Sequence, residues 1–328
     1  MKKLIFTLLL ASSLIVSAQE EEKKSFTLSG SVDTYFRGNI SGGNFDTAPG
    51  SSFANNPGFS LGMINLIAGY EGEKVGFVAD MVYGPRGADA VFNSVGNSSS
   101  IVNQLYAYWN VSEKVTITLG NFNTFLGYEV ISPSANFNYS TSYLFSYGPF
   151  SHTGIKADFD LGGDTSLMLA VMNPTDFTEF NPNGNYAFGA QLGFSGQYVN
   201  FLYDQGAFEI DFTGGFDVSE TFFLGVNAAY FSGDDAPGFY GAALYPQIAT
   251  SDSFKIGLRA EYFVEDGDFG AIGTGIADSS VFATTLTGNY SIGSLTIIPE
   301  LRLDSASEPA FVGDKSLSSF LLAAVYSF

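Results

Sequence analysis

The sequence predicts an all-β fold: a transmembrane antiparallel up-and-down β-barrel of about 16 strands, with 14 to 18 within the pattern. Three observations predict it. Apolar and polar residues alternate with a period of two along nearly the whole chain, which sets successive side chains on opposite faces of a strand. The connections between these alternating segments are themselves mostly long and tight in turn. The chain also ends on SFLLAAVYSF (319–328), where Phe320, Leu322, Ala324, Tyr326 and Phe328 hold every second position to the last residue. Chain ends are ordinarily frayed and polar, so this face must touch something.

At the other end, Lys2 and Lys3 precede a mostly apolar run from Leu4 to Val16, and Val16-Ser17-Ala18 offers small residues at a cleavage site. This is the pattern of a secretory signal peptide, 1–18, with cleavage expected after Ala18. The run is too short to span ~30 Å of hydrocarbon at 1.5 Å per residue. Residues 19–25 read as a short charged periplasmic segment, and 26–328 as a single barrel domain carrying one long loop at 123–153.

Composition excludes several classes. The chain has 16% aromatic residues, 38 glycines and only 14% charged residues. That is too apolar for disorder and too rich in glycine for a helical domain. The absence of cysteine rules out disulfides, thiolate metal sites and a lipid-modified N-terminal cysteine. The formal net charge of −20 becomes −22 once Lys2 and Lys3 leave with the signal peptide. Such a chain repels nucleic acid, whose binding rests on Lys and Arg at phosphates.

Taken in order, the segments justify the count. The first, 26–38, sets Phe26, Leu28, Val32 and Phe36 against Asp33, Tyr35 and Arg37. The sixth, 154–161, sets Ile155, Phe159 and Leu161 against Lys156, Asp158 and Asp160. The tenth, 207–218, sets Phe208, Ile210, Phe212 and Phe216 against Glu209, Asp211 and Asp217. The thirteenth, 254–264, sets Phe254, Ile256, Leu258 and Tyr262 against Lys255, Arg259 and Glu261, and the fifteenth, 295–303, sets Leu301 and Leu303 against Glu300 and Arg302. All thirteen charges of these five segments keep one parity within their strand, and the apolar face carries none. The other predicted strands run 59–70, 75–84, 101–111, 115–122, 166–173, 186–195, 198–204, 221–232, 239–248, 280–292 and 317–328. Odd-numbered connections are long, at 39–58, 85–100, 123–153, 174–185, 233–238, 265–279 and 304–316, with the short 205–206 as the exception. Even-numbered ones are tight, at 71–74, 112–114, 162–165, 195–197, 219–220 and 293–294. Pro299 is an anomaly in strand fifteen, because it cannot donate to a ladder, and marks either a bulge or a misplaced strand.

A soluble sandwich also alternates, but it does not sort long and short loops to opposite ends over sixteen strands. A barrel in lipid does, and must close so that every backbone N–H is paired. The terminal apolar face then meets outer-membrane lipid with Phe328 at the periplasmic boundary. Tyr70, Tyr83, Trp109, Tyr186, Tyr198 and Tyr230 fall near strand ends as candidates for the interfacial aromatic girdle.

The longest connection contains GYEVI (127–131) and NFNYSTSYLFSYGPFSHTG (136–154), preceded by LYAYWNVSEKVTITLGNFNTFLGYEVI (105–131). On Tyr128, Glu129, Asn138, Tyr139, Ser140, Pro149, Phe150, His152, Thr153 and Gly154, this stretch resembles the OmpL-like beta-barrel porins, the beta-barrel porin-2 family of Gram-negative outer membranes. Asn121 stands where the family pattern suggests lysine. The resemblance implies a porin-like barrel and no particular substrate. The alternating end, with Tyr326 and Phe328, also resembles the signature by which the outer-membrane barrel assembly machinery recognises its clients.

The expected function is therefore an outer-membrane porin, a water-filled channel for passive diffusion of small polar solutes and ions. About 16 strands enclose an aqueous lumen, whereas eight are filled by side chains. The third long loop, with Tyr128, Glu129, Asn138, Tyr139 and His152, is the expected constriction. Ten inward acids (Asp33, Asp80, Asp158, Asp160, Asp204, Glu209, Asp211, Asp217, Glu261 and Glu300) face five bases (Arg37, Lys156, Lys255, Arg259 and Arg302). Charge rings set pore selectivity, so the expectation is a mild preference for cations. No catalytic residue, cofactor or metal is expected. Ser151 and His152 are adjacent in an extended segment and point apart, so they do not form a nucleophile–base pair, and Ser140 or Ser142 reach His152 only through a fold of the loop. GDD (233–235) and EDGDFG (265–270) lack the calcium-loop pattern and read as solvated acids. A non-conducting adhesion barrel, a hydrophobic-ligand transporter and an outer-membrane lipid hydrolase are the alternatives. Monomer and homotrimer both fit the sequence.

Overall fold

A computed structural model describes residues 25–51, 53–91, 101–234 and 236–328. The signal peptide expected at 1–18, and residues 19–24 after it, lie outside the described residues. Sixteen strands form one closed sheet in sequence order, with the first hydrogen-bonded to the last. They are β1 (Ser25–Ser41), β2 (Gly58–Glu71), β3 (Val75–Tyr83), β4 (Val102–Ser112), β5 (Val115–Asn123), β6 (Ser151–Gly162), β7 (Thr165–Met172) and β8 (Ala187–Phe194). The second half continues with β9 (Gln197–Asp204), β10 (Ala207–Asp217), β11 (Phe222–Gly233), β12 (Ala236–Ser251), β13 (Phe254–Asp266), β14 (Ser280–Ile292), β15 (Leu295–Ala306) and β16 (Ser316–Ser327). Two short helices, α1 (Pro85–Ala90) and α2 (Tyr143–Tyr147), lie in the second and third outer loops.

Every predicted strand is present, and the differences are at the ends. β6 begins at Ser151, so the long loop is 124–150 and His152 sits on the wall. β12 begins at Ala236, which reduces the expected outer connection 233–238 to two residues. The connection 205–206 is a true hairpin: Gln205 (φ 52) and Gly206 (φ 92) both take the positive φ that two-residue hairpins demand. Pro299 is neither a bulge nor a misplaced strand. The pairs Thr287↔Glu300 and Tyr290↔Ile297 keep one register on either side of it, so the ladder skips a rung where the donor is missing and resumes.

Closure joins the chain's two ends. β1 pairs with β16 from Ser31↔Ser327 to Ser41↔Ser318, and Gly30 and Phe328 exchange backbone hydrogen bonds of 3.0 Å each way. The alternation settles which face is which. Along β14, Phe282 and Leu286 point outward, while Ala283, Thr285 and Thr287 are fully buried. The girdle candidates Tyr83, Trp109, Tyr186 and Tyr230 are exposed on the outside and Tyr70 is half-buried there, but Tyr198 has the inward parity of Asn200 and Leu202 on its strand and lines a chamber inside the barrel, so it is not part of the girdle. The wall is uneven in height: β7, β8 and β9 have 8 residues each, against 16 in β12 and 17 in β1.

Leu286 lies at the middle of β14 on the lipid side. Leu286→Arg is expected to cost about 2–4 kcal/mol, the range for Arg at a bilayer midplane, in reversible unfolding from lipid vesicles. Arg at Phe282, nearer the rim, costs less.

Candidate functional site

The third outer loop turns into the barrel and is held there by its own backbone. Residues 138–144 run along the inner face of β13, β14 and β15, and the wall charges are spaced to meet their amides and carbonyls. Glu300 on β15 accepts from Tyr139 N (2.6 Å) and Ser140 N (3.1 Å). Glu261 on β13 accepts from Tyr143 N (3.0 Å) and Leu144 N (2.8 Å), the first amides of α2. The third amide, Phe145 N, goes to the N-cap hydroxyl of Ser142 at 3.1 Å. All three first-turn donors, which a helix cannot satisfy itself, thereby find acceptors.

Guanidinium groups take the carbonyls. Arg259 donates to Ser140 O (2.5 Å) and to the loop carboxylate Glu129 (2.7 Å), which itself accepts from Ser142 N (2.8 Å). Arg302 donates to Thr141 O (2.8 Å) and to Asp304 (2.8 Å), and reaches Ser51 Oγ of the first outer loop at 2.8 Å. Arg86 of α1 donates to Tyr139 O (2.9 Å) and Ile131 O (3.1 Å). The Tyr139 phenol donates to Asp33 on β1 at 2.5 Å, and burial together with that carboxylate pushes its pKa up, which keeps it a donor. Farther down, Asn138 donates to Thr287 Oγ1 (2.6 Å) and Asn289 to Phe137 O (2.9 Å), so the loop reaches the periplasmic part of β14.

Loop rings seat where the wall has glycine. An added Cβ at Gly189, Gly225 or Gly257 would overlap the rings of Phe125, Tyr128 or Phe137, and one at Gly62 would overlap Asp33 beside the Tyr139 hydroxyl. Tyr128 also stacks on Tyr245 at 4.3 Å, and burial beside Glu129 pushes its phenol to about 12.

The sequence-predicted residues thus divide into two groups. Asp33, Arg37, Arg259, Glu261, Glu300 and Arg302 face inward as expected, but they meet loop atoms instead of water, with Arg259 and Glu261 at 0% exposure. Arg37 holds the first outer loop through Thr47 O and Asn55 O. Asp80 is buried under the amides of Asn65, Asn103 and Gln104. On the opposite wall, Lys156 pairs with Asp158 at 3.0 Å, partly exposed, and Asp160 caps its own turn at Gly162 N. Asp217 and Lys255 border an open chamber of 630 Å³ that includes Glu220 of the periplasmic turn. Asp211 accepts from Asn200, Asn227 and Gly127 N, and Glu209 is buried two residues away. A second chamber, of 530 Å³, lies between loop residues 124–131 and β8–β11.

His152 is buried against Phe125 and Phe122, with Nε2 at 3.0 Å from Thr124 Oγ1. Neither Ser140 nor Ser142 bonds to it: the Ser142 hydroxyl caps α2, and the Ser140 amide and carbonyl hold Glu300 and Arg259. In the acidic loops, Glu265 accepts from Ile272 N and Asp278 from Gly267 N, and Asp235 lies outside the described residues. Sequence reasoning missed Arg86, Thr287, Asp304 and Asp176. Asp304 keeps the charged parity of Glu300 and Arg302 and was one step beyond the expected strand end. Arg86 lies in a loop and carried no signal.

A closed 16-stranded barrel, apolar outside and ionic inside, with a long loop packed into it, defines a porin-type outer-membrane protein. The chain belongs to the family described as "Putative beta-barrel porin-2, OmpL-like", whose model matches residues 25–328. No curated protein is significantly similar to it in sequence. Among solved structures it is similar to OprB of Pseudomonas putida (high pH structure; TM-score 0.62, 11% identity, covering 93% of this chain and 94% of that one). It is also similar to an anion-selective porin from Comamonas acidovorans (TM-score 0.60, 13% identity, 93% and 100%) and to the trimer form of OmpT, an outer membrane protein of Vibrio cholerae (TM-score 0.56, 10% identity, 94% and 100%). At these identities the likeness is one of fold.

Arg259→Ala strands Glu129 and the Ser140 carbonyl. Breaking such a buried pair costs about 3–5 kcal/mol, so the folded band should convert to the unfolded one at lower temperature in heat-modifiability gels. Asp176, in the fourth outer loop, accepts from Phe150 N (2.8 Å) and Ser151 N (2.9 Å), and burial raises its pKa from 3.8 to about 6. Its folded pKa exceeds the unfolded one, so its contribution to stability falls as pH rises from 3.8 to about 6. Asp176→Asn keeps an accepting oxygen and should flatten that part of the curve in urea unfolding at several pH values.

Proposed function

We infer that the protein is a porin: a water-filled outer-membrane channel for passive diffusion of small polar solutes and ions, narrowed by its third outer loop and mildly cation-preferring. The observation that carries this reading is the loop's position. It packs against the β13–β15 side of the barrel and leaves two adjacent chambers against β8–β13, with Tyr128, Glu129 and Phe223 lining both.

The cation preference follows from which charges remain on the water side. Arg37, Arg86, Arg259 and Arg302 are buried and donate to outer-loop carbonyls. The bases left beside open space are Lys255, Lys114 and Lys156, the last paired with Asp158, while the acids there are Glu220, Asp217, Glu113, Asp158 and Asp160. The remaining field is acidic, and a charge-lined pore selects by that sign. Signal-peptide cleavage and delivery through the barrel assembly machinery, by way of Tyr326 and Phe328, complete the reading.

A homotrimer fits the low wall. Eight-residue strands tilted near 40° span about 20 Å, short of the ~25 Å apolar band of such barrels, and association is one relief for that mismatch. The V. cholerae protein is a trimer in one of its structures.

Reconstituted into a planar bilayer, the protein should give stepwise currents, and a KCl gradient should give a reversal potential of the sign for cations. An absence of steps would favour the adhesion barrel. Steps with an anion-signed potential would keep the porin and remove the preference.

A further inference from the structure

A much smaller space adjoins the second chamber: a cavity of only 10 Å³, with which it shares the lining residues Leu126, Gly127 and Phe145. Space of that size admits about one water molecule. Glu209 and Asp211 line it from β10, Asn227 and Ala229 from β11, and Gly148 and Pro149 from the end of the loop.

The two acids differ in their partners. Asp211 is saturated: Oδ1 accepts from Asn200 (2.5 Å) and Gly127 N (3.1 Å), and Oδ2 from Asn227 (2.6 Å). Glu209 is 4% exposed, and no hydrogen-bond donor meets its carboxylate among the described residues. Its cross-strand neighbours are Leu202 and Phe231, which have nothing to donate. The charged groups that act on it are Asp211 and Asp176, both acids. A buried carboxylate without a donor is costly, and this one is aimed into a cavity the size of a small ion.

Apolar clusters occupy much of the rest of the outer half among the described residues. Phe239, Phe263, Phe311 and Leu317 fill the β12–β16 side with α2, Met63 and Val82 pack with Phe145 and Phe150, and Met168, Met172 and Phe122 close the β5–β7 side. The rim is low above Glu209: β9 meets β10 through the two-residue hairpin 205–206, only two residues separate the end of β11 at Gly233 from the start of β12 at Ala236, and Glu209 lies two residues below the start of β10.

We propose that cations permeate off-centre, over this low rim and past Glu209, whose unpartnered carboxylate binds an alkali cation in transit and makes this neck the cation-selectivity filter. The proposal rests on the porin reading and assigns its selectivity to one residue instead of to the average charge of the wall. The neck carries two carboxylates, of which Asp211 is already held by three donors and Glu209 is left to meet a partly dehydrated ion; the loop faces it with Gly127 and Gly148 and with the apolar Leu126, Leu144 and Phe145.

The test is the reversal potential in a KCl gradient, read from about pH 8 upward. Glu209→Gln should lower the cation-to-anion permeability ratio roughly threefold or more, as expected when a pore loses the charge at its narrowest point. Glu209→Asp should stay within about twofold of the parent, and Asp217→Asn, which removes the same charge from the wide chamber, should act much less. Heat-modifiability gels confirm that each variant folds. Equal effects of Glu209→Gln and Asp217→Asn would overturn the filter and leave the porin reading intact. The chain has no cysteine, so Glu209→Cys gives a single thiol, and a cationic methanethiosulfonate should reduce its current. An unchanged current would overturn the route, and a parent that never conducts would overturn both readings.

Discussion

Removing a carboxylate or guanidinium from water is expensive unless each of its oxygens or N–H groups finds a partner. That cost organises this barrel's interior. Glu261 and Glu300 are fully buried, and the partners that meet them are mostly peptide amides of one loop. Arg259 and Arg302 fill the complementary role toward the carbonyls between those amides. The loop needs the wall as much as the wall needs the loop, because an irregular backbone buried inside a barrel would otherwise carry unsatisfied groups of its own. Neither partner is stable alone in this position, so the charged stripe on β13–β15 and the conformation of 138–144 are one structural unit.

The strands were legible because lipid and water impose a period of two that no loop interrupts. The parity of Lys255, Arg259 and Glu261, or of Glu300 and Arg302, named the inward face correctly without any tertiary information. It did not say what lay across from that face. Asp33 and Glu300 look alike in sequence to Asp158 and Asp217, and the difference between a clamp and a water-lined wall lies in loop backbone atoms, which every residue possesses. Glycine was equally mute. Gly225 and Gly257 read as general evidence against helix, yet in the folded chain they are the places where Tyr128 and Phe137 come to rest. Arg86 was invisible for the opposite reason: it sits in a short helix of an outer loop, and only the path of the third loop brings Tyr139 O and Ile131 O to it.

Proline marks how little the barrel depends on any one rung. At Pro299 the β14–β15 ladder omits a bond and resumes in the same register, and at Pro246 the β12–β13 ladder does the same between Leu244↔Ala260 and Gln247↔Gly257. An open sheet slips where its pairing is weak. A closed one cannot, because a shift on one seam would have to be absorbed on every other, and because each slip by one residue would carry Arg259 or Glu300 into lipid. Closure therefore protects register, and register is what keeps the clamp residues opposite the loop.

The same clamp explains why the interior is electrically lopsided. Four of the inward-facing or loop guanidinium groups, Arg37, Arg86, Arg259 and Arg302, are spent on outer-loop carbonyls, where they are neutralised locally by Glu129 and Asp304 or bonded without a counter-ion. Of the wall's bases, Lys156 and Lys255 are left outside this clamp, each with an acid near it. The two larger chambers inside the barrel lie against β8–β13, and a smaller one bordered by Lys114 and Asp160 lies against β5–β8. Loop placement and open space are thus one arrangement: once the loop's backbone is fixed to β13–β15, the space it leaves lies on the other side of the barrel.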